Sequence, residues 1–383
     1  VERRKSAVES LVGRLPAPAF WRGKRVFLTG HTGFKGGWLA LWLTAMGAKV
    51  HGFSLPPPTE PNFFAALGLA DLVAHEIGDI RDAALLATSL RRFAPEIVIH
   101  MAAQPLVLLS YQNPLETYAT NVMGTAHLLE AVRGCASVQA TIIVTSDKCY
   151  ENIDSMWSYR ETDRMGGHDP YSNSKGCAEL LTAAYAKSFF APSGRALGSV
   201  RAGNVIGGGD WAPDRLMTDI FSALLANRRP VLRAPNAVRP WQHVLEPLAG
   251  YLVAAEHLIA TPQAGAAEAG AAWNFGPDAD SEVNVGTVAD RVCALWGGNI
   301  RPVAQESASR GKEARLLTLD STKARRELGW RPRWPLDRAL TETVRWFQSW
   351  GAGNKNMKTF SLGQIADYTG TAQTLPDQAK EVA

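Results

Sequence analysis

Short apolar runs alternate with segments of helical spacing along the first half of the chain. Arg25-Val26-Phe27-Leu28-Thr29 predicts a buried strand, and the stretch from Gly30 to Gly36 then turns into an apolar helix carrying Trp38, Leu39, Leu41, Trp42 and Met46. A second strand is expected over Ala48–Phe53. Glu96–Met101 predicts another buried strand, followed by the small residues Ala102 and Ala103 and by Gln104. Helices over about Leu115–Val132 and Tyr171–Phe189 are apolar on more than one face. Farther on, an Ala/Gly-rich loop from Ala264 leads to a short strand at Ala272–Phe275, and Arg325–Leu328 reads as a helix ending at Gly329, near Pro332. No internal repeat is present, and the segment from Gly353 onward shows no strong pattern.

The glycines at 30, 33 and 36 stand where phosphate chemistry needs them. They let the backbone approach a pyrophosphate, and the helix start offers free N–H groups at its positive dipole end. Gly30, Thr32, Gly33, Phe34, Lys35 and Gly36 would form this cradle. The spacing is G-x-x-G-x-x-G rather than G-x-G-x-x-G, a variant associated with the extended branch of the short-chain dehydrogenase/reductase superfamily. The expected fold is therefore α/β, a Rossmann-type doubly wound parallel sheet with a smaller C-terminal substrate-binding lobe. Residues 1–20 read as an N-terminal arm, 21–201 as the cofactor-binding domain, 202–352 as mainly a substrate-binding lobe interleaved with the core, and 353–383 as a peripheral tail. Ser54 stands where an acidic residue usually holds the ribose, and no arginine follows to hold a 2′-phosphate, which leans the cofactor toward NAD over NADP. Asp79 and Ile80 are placed beside the adenine, with Asp79 as a plain turn or cap the alternative. Small side chains at Ala102 and Ala103, before Gln104, leave room for the same cofactor.

Tyr171 and Lys175 follow Pro170, which suits a helix start, so both side chains fall on one face about 5–6 Å apart at Cβ. An ammonium that close favours a phenolate, and a tyrosine ordinarily titrating near 10 could then act as a base near neutral pH. Ser146, within Thr145-Ser146-Asp147-Lys148, can hydrogen-bond the phenolate or a substrate oxygen. A Tyr/Lys pair on one helix is commonplace. Its conjunction with the glycine loop and the Thr145–Lys148 segment, in this order, points to a catalytic role.

Composition narrows the setting. At 383 residues and 46% hydrophobic content the chain can bury a full core. No run approaches the roughly 20 apolar residues of a membrane span, and Val1–Phe20 lacks the apolar stretch of a signal peptide, so a cytoplasmic location is expected. A net charge of +4 with dispersed basic residues argues against nucleic acid. Cys135, Cys149, Cys177 and Cys293 lack metal-like spacing, so buried reduced thiols are expected and no metal site. Arg228, Arg229, Arg233 and Arg239 could meet a diphosphate, although a solvated helix end and loop is the plainer reading for Arg228, Arg229 and Arg233.

Gly30–Gly36, Thr145–Tyr150, Tyr159-Arg160-Glu161 and Asp169–Gly176 together resemble the CDP-glucose 4,6-dehydratases. The similarity runs from about Trp21 to Trp346 and takes in Arg201–Trp211 and Arg239-Pro240-Trp241. The Ser-Asp-Lys and Gly-Gly-Gly-Asp-Trp runs are the narrow part of it, because dTDP-glucose relatives typically carry Asp-Glu where this chain has Asp147-Lys148. The resemblance implies that Tyr171 takes the sugar 4-hydroxyl proton while NAD accepts the carbon 4 hydride. The ketone then acidifies carbon 5, Asp147 protonates the departing 6-hydroxyl, and the hydride returns to carbon 6. Lys148 would be the carbon 5 base or the cation beside the enolate. Thr145, Tyr171 and Lys175 would also touch the cofactor, and Gln104, Asn204, Arg215 and Arg239 the substrate. The implied substrate is CDP-glucose, the setting deoxysugar and O-antigen lipopolysaccharide synthesis, and the assembly a homodimer through a four-helix bundle, with a tetramer left open. A nucleotide-sugar 4-epimerase or another NDP-hexose 4,6-dehydratase is the alternative, the epimerase having no use for an acid at Asp147. A non-enzymatic NAD-binding regulator is the third reading; such relatives commonly lose the tyrosine or lysine retained here.

Overall fold

The computed structural model describes residues 13–261, 270–304 and 316–371. Its first six strands are β1 (Arg25–Thr29), β2 (Lys49–Ser54), β3 (Ala74–Ile77), β4 (Ile97–His100), β5 (Ala140–Val144) and β6 (Ala196–Ala202). Next come β7 (Asn204–Ile206), β8 (Val231–Leu232), β9 (Val238–His243), β10 (Ala271–Phe275), β11 (Glu282–Asn284) and β12 (Val303–Ala304). Strands β1–β6 and β10 form one seven-stranded sheet in the order β10-β6-β5-β4-β1-β2-β3, with every pairing parallel. A parallel sheet needs helices on both faces, and this is why β4, β5 and β6 are buried along their whole length rather than alternating.

The long helices are α1 (Phe34–Ala45), α2 (Ala83–Phe93), α3 (Gly124–Arg133), α4 (Pro170–Tyr185), α5 (Leu216–Leu225), α6 (Leu245–Ala260), α7 (Val285–Trp296), α8 (Leu336–Gly351) and α9 (Met357–Thr369). One core gathers Trp21, Trp38, Trp42, Trp273, Trp330 and Trp346. The other is built on Phe27, Phe53, Leu86, Leu128 and Phe190. From β1 the chain moves outward to β2 and β3, then returns to β4 on the far side of β1. That reversal opens a crevice beyond the C-terminal ends of β1 and β4, where such sheets bind ligands. Beside it, β7, β9 and β11 form a three-stranded sheet carrying Asn204 and Arg239.

Two expectations change. The helix expected over 115–132 is interrupted by a wide turn at Ala119–Met123, a deviation often found at functional sites. Asn121, within that turn, accepts the Gln104 backbone N–H at 2.8 Å and donates to Ser174 Oγ at 2.9 Å. The reading of 353–383 as a peripheral tail is corrected over 357–369, where α9 buries Met357, Ile365 and Tyr368 against the core. The Tyr368 hydroxyl donates to buried Glu246 at 2.8 Å, and Ser361 accepts from Trp346 Nε1 at 2.9 Å. Polar residues on the packed face hide this helix from a hydrophobic pattern. Residues 372–383, most of the arm and the loop residues 264–269 lie outside the described residues. Among the described residues, no helix is long and apolar enough to cross a membrane, and no group of three His, Cys, Asp or Glu side chains could hold a metal. Cys135, Cys149 and Cys293 are buried free thiols, while Cys177 is half-buried.

Candidate active site

The glycine loop closes tightly on β4 and on itself. Gly30 has φ +80°, and a Cβ there would lie 2.7 Å from the Ala102 nitrogen; one on Gly36 would lie 2.1 Å from the Gly30 oxygen. Gly33 differs: its Cβ would meet no protein atom nearer than 3.4 Å, so its bareness leaves space on the crevice side. No side chain caps α1, whose first-turn N–H groups are thereby left for an anion. These features fit the diphosphate of a dinucleotide. Thr32 Oγ1 lies 2.9 Å from Ser54 Oγ and donates to the Leu55 oxygen at 2.9 Å, fixing the end of β2. Ile80 is buried, whereas Asp79 is held by its own neighbour, accepting from Arg81 Nε at 2.8 Å and Nη2 at 2.6 Å.

Pro170 at the first turn and Asp169, which accepts the Ser172 N–H at 2.9 Å, start α4 as its sequence anticipates. Tyr171 and Lys175 are both buried on this helix. The short turn at Asp147–Cys149 packs against it and brings the Lys148 ammonium 6.0 Å from the Tyr171 ring centre. Ser146 donates to Asp147 Oδ1 at 2.8 Å, while Asp147 Oδ2 is buried with no hydrogen-bond partner. A Cβ on Gly203 would come 3.1 Å from that oxygen, so glycine keeps the space beside it clear.

Burial governs the protonation of these groups. It raises Asp147 above the usual carboxylate range and so favours the protonated acid, while the Lys148 charge opposes it by favouring the carboxylate. It lowers Lys175 to about 8, with Glu179 resisting. Tyr171 is pushed up to about 12 by burial, against a hydrogen bond from Ser146 that favours the phenolate. Burial thus outweighs the groups that favour a phenolate at Tyr171.

The remaining candidates separate. Lys35 turns its ammonium to the Tyr251 hydroxyl, 3.0 Å away, and burial with the neighbouring Arg215 and Lys175 charges lowers it to about 7. Arg215 pairs with Asp210 at 2.8 Å and favours the Tyr171 phenolate through its charge. Arg239 favours ionised Asp147 in the same way, and Asn204 lies half-buried on β7 beside β9. Gln104 spends its carboxamide within the protein, donating to Thr117 Oγ1 at 2.9 Å and the Leu106 oxygen at 3.1 Å, so it shapes the loop after β4. Ala102 and Ala103 lie on that loop; Thr145, at the end of β5, donates to Glu179. Arg233 pairs with Asp214 at 3.2 Å and with Asp219 at 3.0 Å.

Tyr251 and Glu179 escape the sequence reading. Nothing in the apolar helix around Tyr251 marks it, but Glu179 repeats the four-residue interval of Tyr171 and Lys175.

The family model described as GDP-mannose 4,6 dehydratase matches residues 27–343. The CDP-glucose 4,6-dehydratase of Salmonella typhimurium is 51% identical over 354 residues, covering 91% of this chain and 97% of that protein. Among solved structures, the dTDP-glucose 4,6-dehydratase DesIV of Streptomyces venezuelae, with NAD and TYD bound, superposes with a TM-score of 0.71 at 27% identity, over 85% of this chain and 97% of that one. A UDP-glucose 4-epimerase from Thermotoga maritima gives a TM-score of 0.73 at 21% identity, over 85% of this chain and 99% of its own, a likeness of fold.

Proposed function

The chain belongs to the nucleotide-sugar 4,6-dehydratases of the short-chain dehydrogenase/reductase superfamily, and on that premise we propose that it converts CDP-glucose to CDP-4-dehydro-6-deoxyglucose through bound NAD. The observation that carries this reading is Asp147, a buried acid with one carboxyl oxygen unpartnered, on a turn packed against the Tyr171–Lys175 helix. A 4-epimerase needs the base and has no use for the acid. When bound, NAD supplies the hydride acceptor and a positively charged ring that favours the phenolate.

The chain's own residues divide the remaining work. Gly30, Gly33, Gly36 and the first turn of α1 would hold the diphosphate of the cofactor. Tyr171 removes the proton from the 4-hydroxyl, and the Lys175 ammonium stabilises the phenolate. The resulting ketone acidifies carbon 5, whose proton goes to Lys148 as a neutral amine or, where Lys148 serves as the cation beside the enolate, to another base or water; a proton is given back to carbon 5 when the hydride returns to carbon 6. Asp147 then protonates the 6-hydroxyl as water leaves. Arg239 and Arg215 bring positive charge toward the sugar diphosphate. The product is a deoxysugar precursor of the kind built into lipopolysaccharide O-antigen.

Incubating the protein with CDP-, dTDP-, UDP- and GDP-glucose and assaying 4-keto sugar tests this directly. Product is expected with CDP-glucose in clear preference to the others. Interconversion of 4-epimers without a 4-keto product would establish the epimerase, and NAD binding without turnover on any sugar would establish the regulator.

Assembly is part of the same reading. Leu108, Tyr111, Leu115, Met123, Leu180 and Phe189 are exposed, in or beside the helical segments around α3 and α4. Paired across a two-fold axis, these segments would form a four-helix bundle that buries them. Light scattering at micromolar concentration should give the mass of two chains, and the mass of one would sink the idea.

A further inference from the structure

The catalytic helix carries a third ionisable group on one face. Glu179 lies four residues beyond Lys175 and eight beyond Tyr171, so its side chain neighbours Lys175 one turn on. It is 4% exposed. Its Oε1 accepts from Thr145 Oγ1 and, at 2.9 Å, from Arg201 Nε. Its Oε2 accepts from Ser199 Oγ at 2.6 Å and from Arg201 Nη2 at 2.7 Å. Four donors from β5 and β6 thus fix the carboxylate. The guanidinium is fixed in turn, because Arg201 Nη1 donates to the Tyr150 hydroxyl at 2.7 Å and Tyr150 donates to Asn274 Oδ1 at 2.8 Å. Tyr150 directly follows the Asp147–Cys149 turn.

Stability alone is a poor reason for such a pair, since a buried ion pair roughly breaks even with well-packed apolar residues. Electrostatics supplies a better one. Arg201 and the hydroxyl donors keep Glu179 below the usual carboxylate range. Burial works against the Lys175 ammonium, and Glu179 is the strongest charge resisting it, followed by Cys149. The other ionisable groups facing Lys175 are Tyr171 on its own helix, Lys35 from α1, and His100 from β4, which burial keeps neutral. The Cys149 thiol is pushed up by burial. Glu179 is therefore the one anion near neutral pH within this set.

Resting on the Tyr171–Lys175 reading above, we propose that the Glu179–Arg201 pair positions that dyad electrostatically: Glu179 holds the Lys175 ammonium charged, and Arg201 ties this charge to the turn bearing Asp147. No bond is made or broken at Glu179, which acts through Lys175.

The test is Glu179→Gln, which keeps size and hydrogen bonding and removes the charge. In NAD-free protein, competitive acetylation read by mass spectrometry gives the protonation midpoint of Lys175. This midpoint should fall by about one unit or more, and the basic limb of kcat should move down with it, giving roughly tenfold lower kcat at about pH 8.5 and little change at about pH 6.5. Glu179→Asp should restore the profile. If Glu179→Gln does not fold with Arg201 left unpaired, Glu179→Gln/Arg201→Gln removes both charges and should still show a downward shift, smaller than that of the single variant because a cation goes with the anion. An unmoved midpoint with only a lower melting temperature overturns the proposal. A midpoint that falls while the kcat profile stays put upholds the charge link and overturns the role of the dyad in turnover, so the two failures are distinct.

Discussion

Tyr171→Phe should lower kcat by about two orders of magnitude or more while KM changes by no more than a few-fold, because the lost hydroxyl acts on a proton in transit. The substitution removes one oxygen from a buried ring and leaves α4, the Lys175 ammonium and the glycine cradle in place. The protonation balance sharpens the expectation. Tyr171 is pushed up to about 12 by burial and Lys175 down to about 8. As pH rises the phenolate becomes easier to form, whereas above about 8 the ammonium that stabilises it is lost. Wild-type kcat should therefore climb from acid pH and fall again in the alkaline range, and Tyr171→Phe should lose the rising limb as well as the rate. Steady-state kinetics on CDP-glucose across pH measures both. Near-normal turnover in this variant would show that the base lies elsewhere.

Asp147→Asn should separate loss of water from oxidation. The amide keeps the size of the side chain and can still accept the Ser146 hydroxyl, but it cannot donate an acidic proton. Formation of the 4-keto-6-deoxy product should fall by about a hundredfold or more, within the range of general acid catalysis. Oxidation at carbon 4 and exchange of the carbon 5 proton should continue, so recovered CDP-glucose should carry solvent deuterium at carbon 5. Lys148→Met should do the reverse: Asp147 remains as the acid, while either the base or the cation beside the enolate is gone. Exchange at carbon 5 should then fall together with product. Mass spectrometry and NMR of the recovered sugar nucleotide distinguish the two patterns. If Asp147→Asn stops exchange and Lys148→Met dehydrates at the normal rate, this division of roles is wrong.

Local chemistry made much of this legible in advance. β1, the glycine turn and α1 stand where the apolar run and the glycines put them, because a turn that tight against β4 admits no side chain at Gly30. Tyr171 and Lys175 share a face because helical spacing dictates it, and Asp169 and Pro170 start the helix through contacts only a few residues long. The resemblance to the dehydratases rests on these same short segments.

Three matters lay outside the reach of pattern. Glu179 was visible as a repeat of the four-residue interval, but its meaning depends on Arg201, Ser199 and Thr145 arriving from neighbouring strands. Lys35 stood in the cradle by sequence, yet the fold turns its ammonium to Tyr251, some two hundred residues away along the chain. α9 gave no apolar stripe, because Ser361 is buried by a bond to Trp346 and Tyr368 by one to Glu246.

Most of the elements, the glycine cradle and the candidate groups could be read along the chain, since each depends on neighbours within a few residues. How those groups are charged depends on the folded chain as a whole. Burial is a property of what the rest of the chain lays over a side chain, and here it raises Asp147 and Tyr171 and lowers Lys175 and Lys35, while Arg201, Ser199 and Thr145 packed against Glu179 outweigh it there.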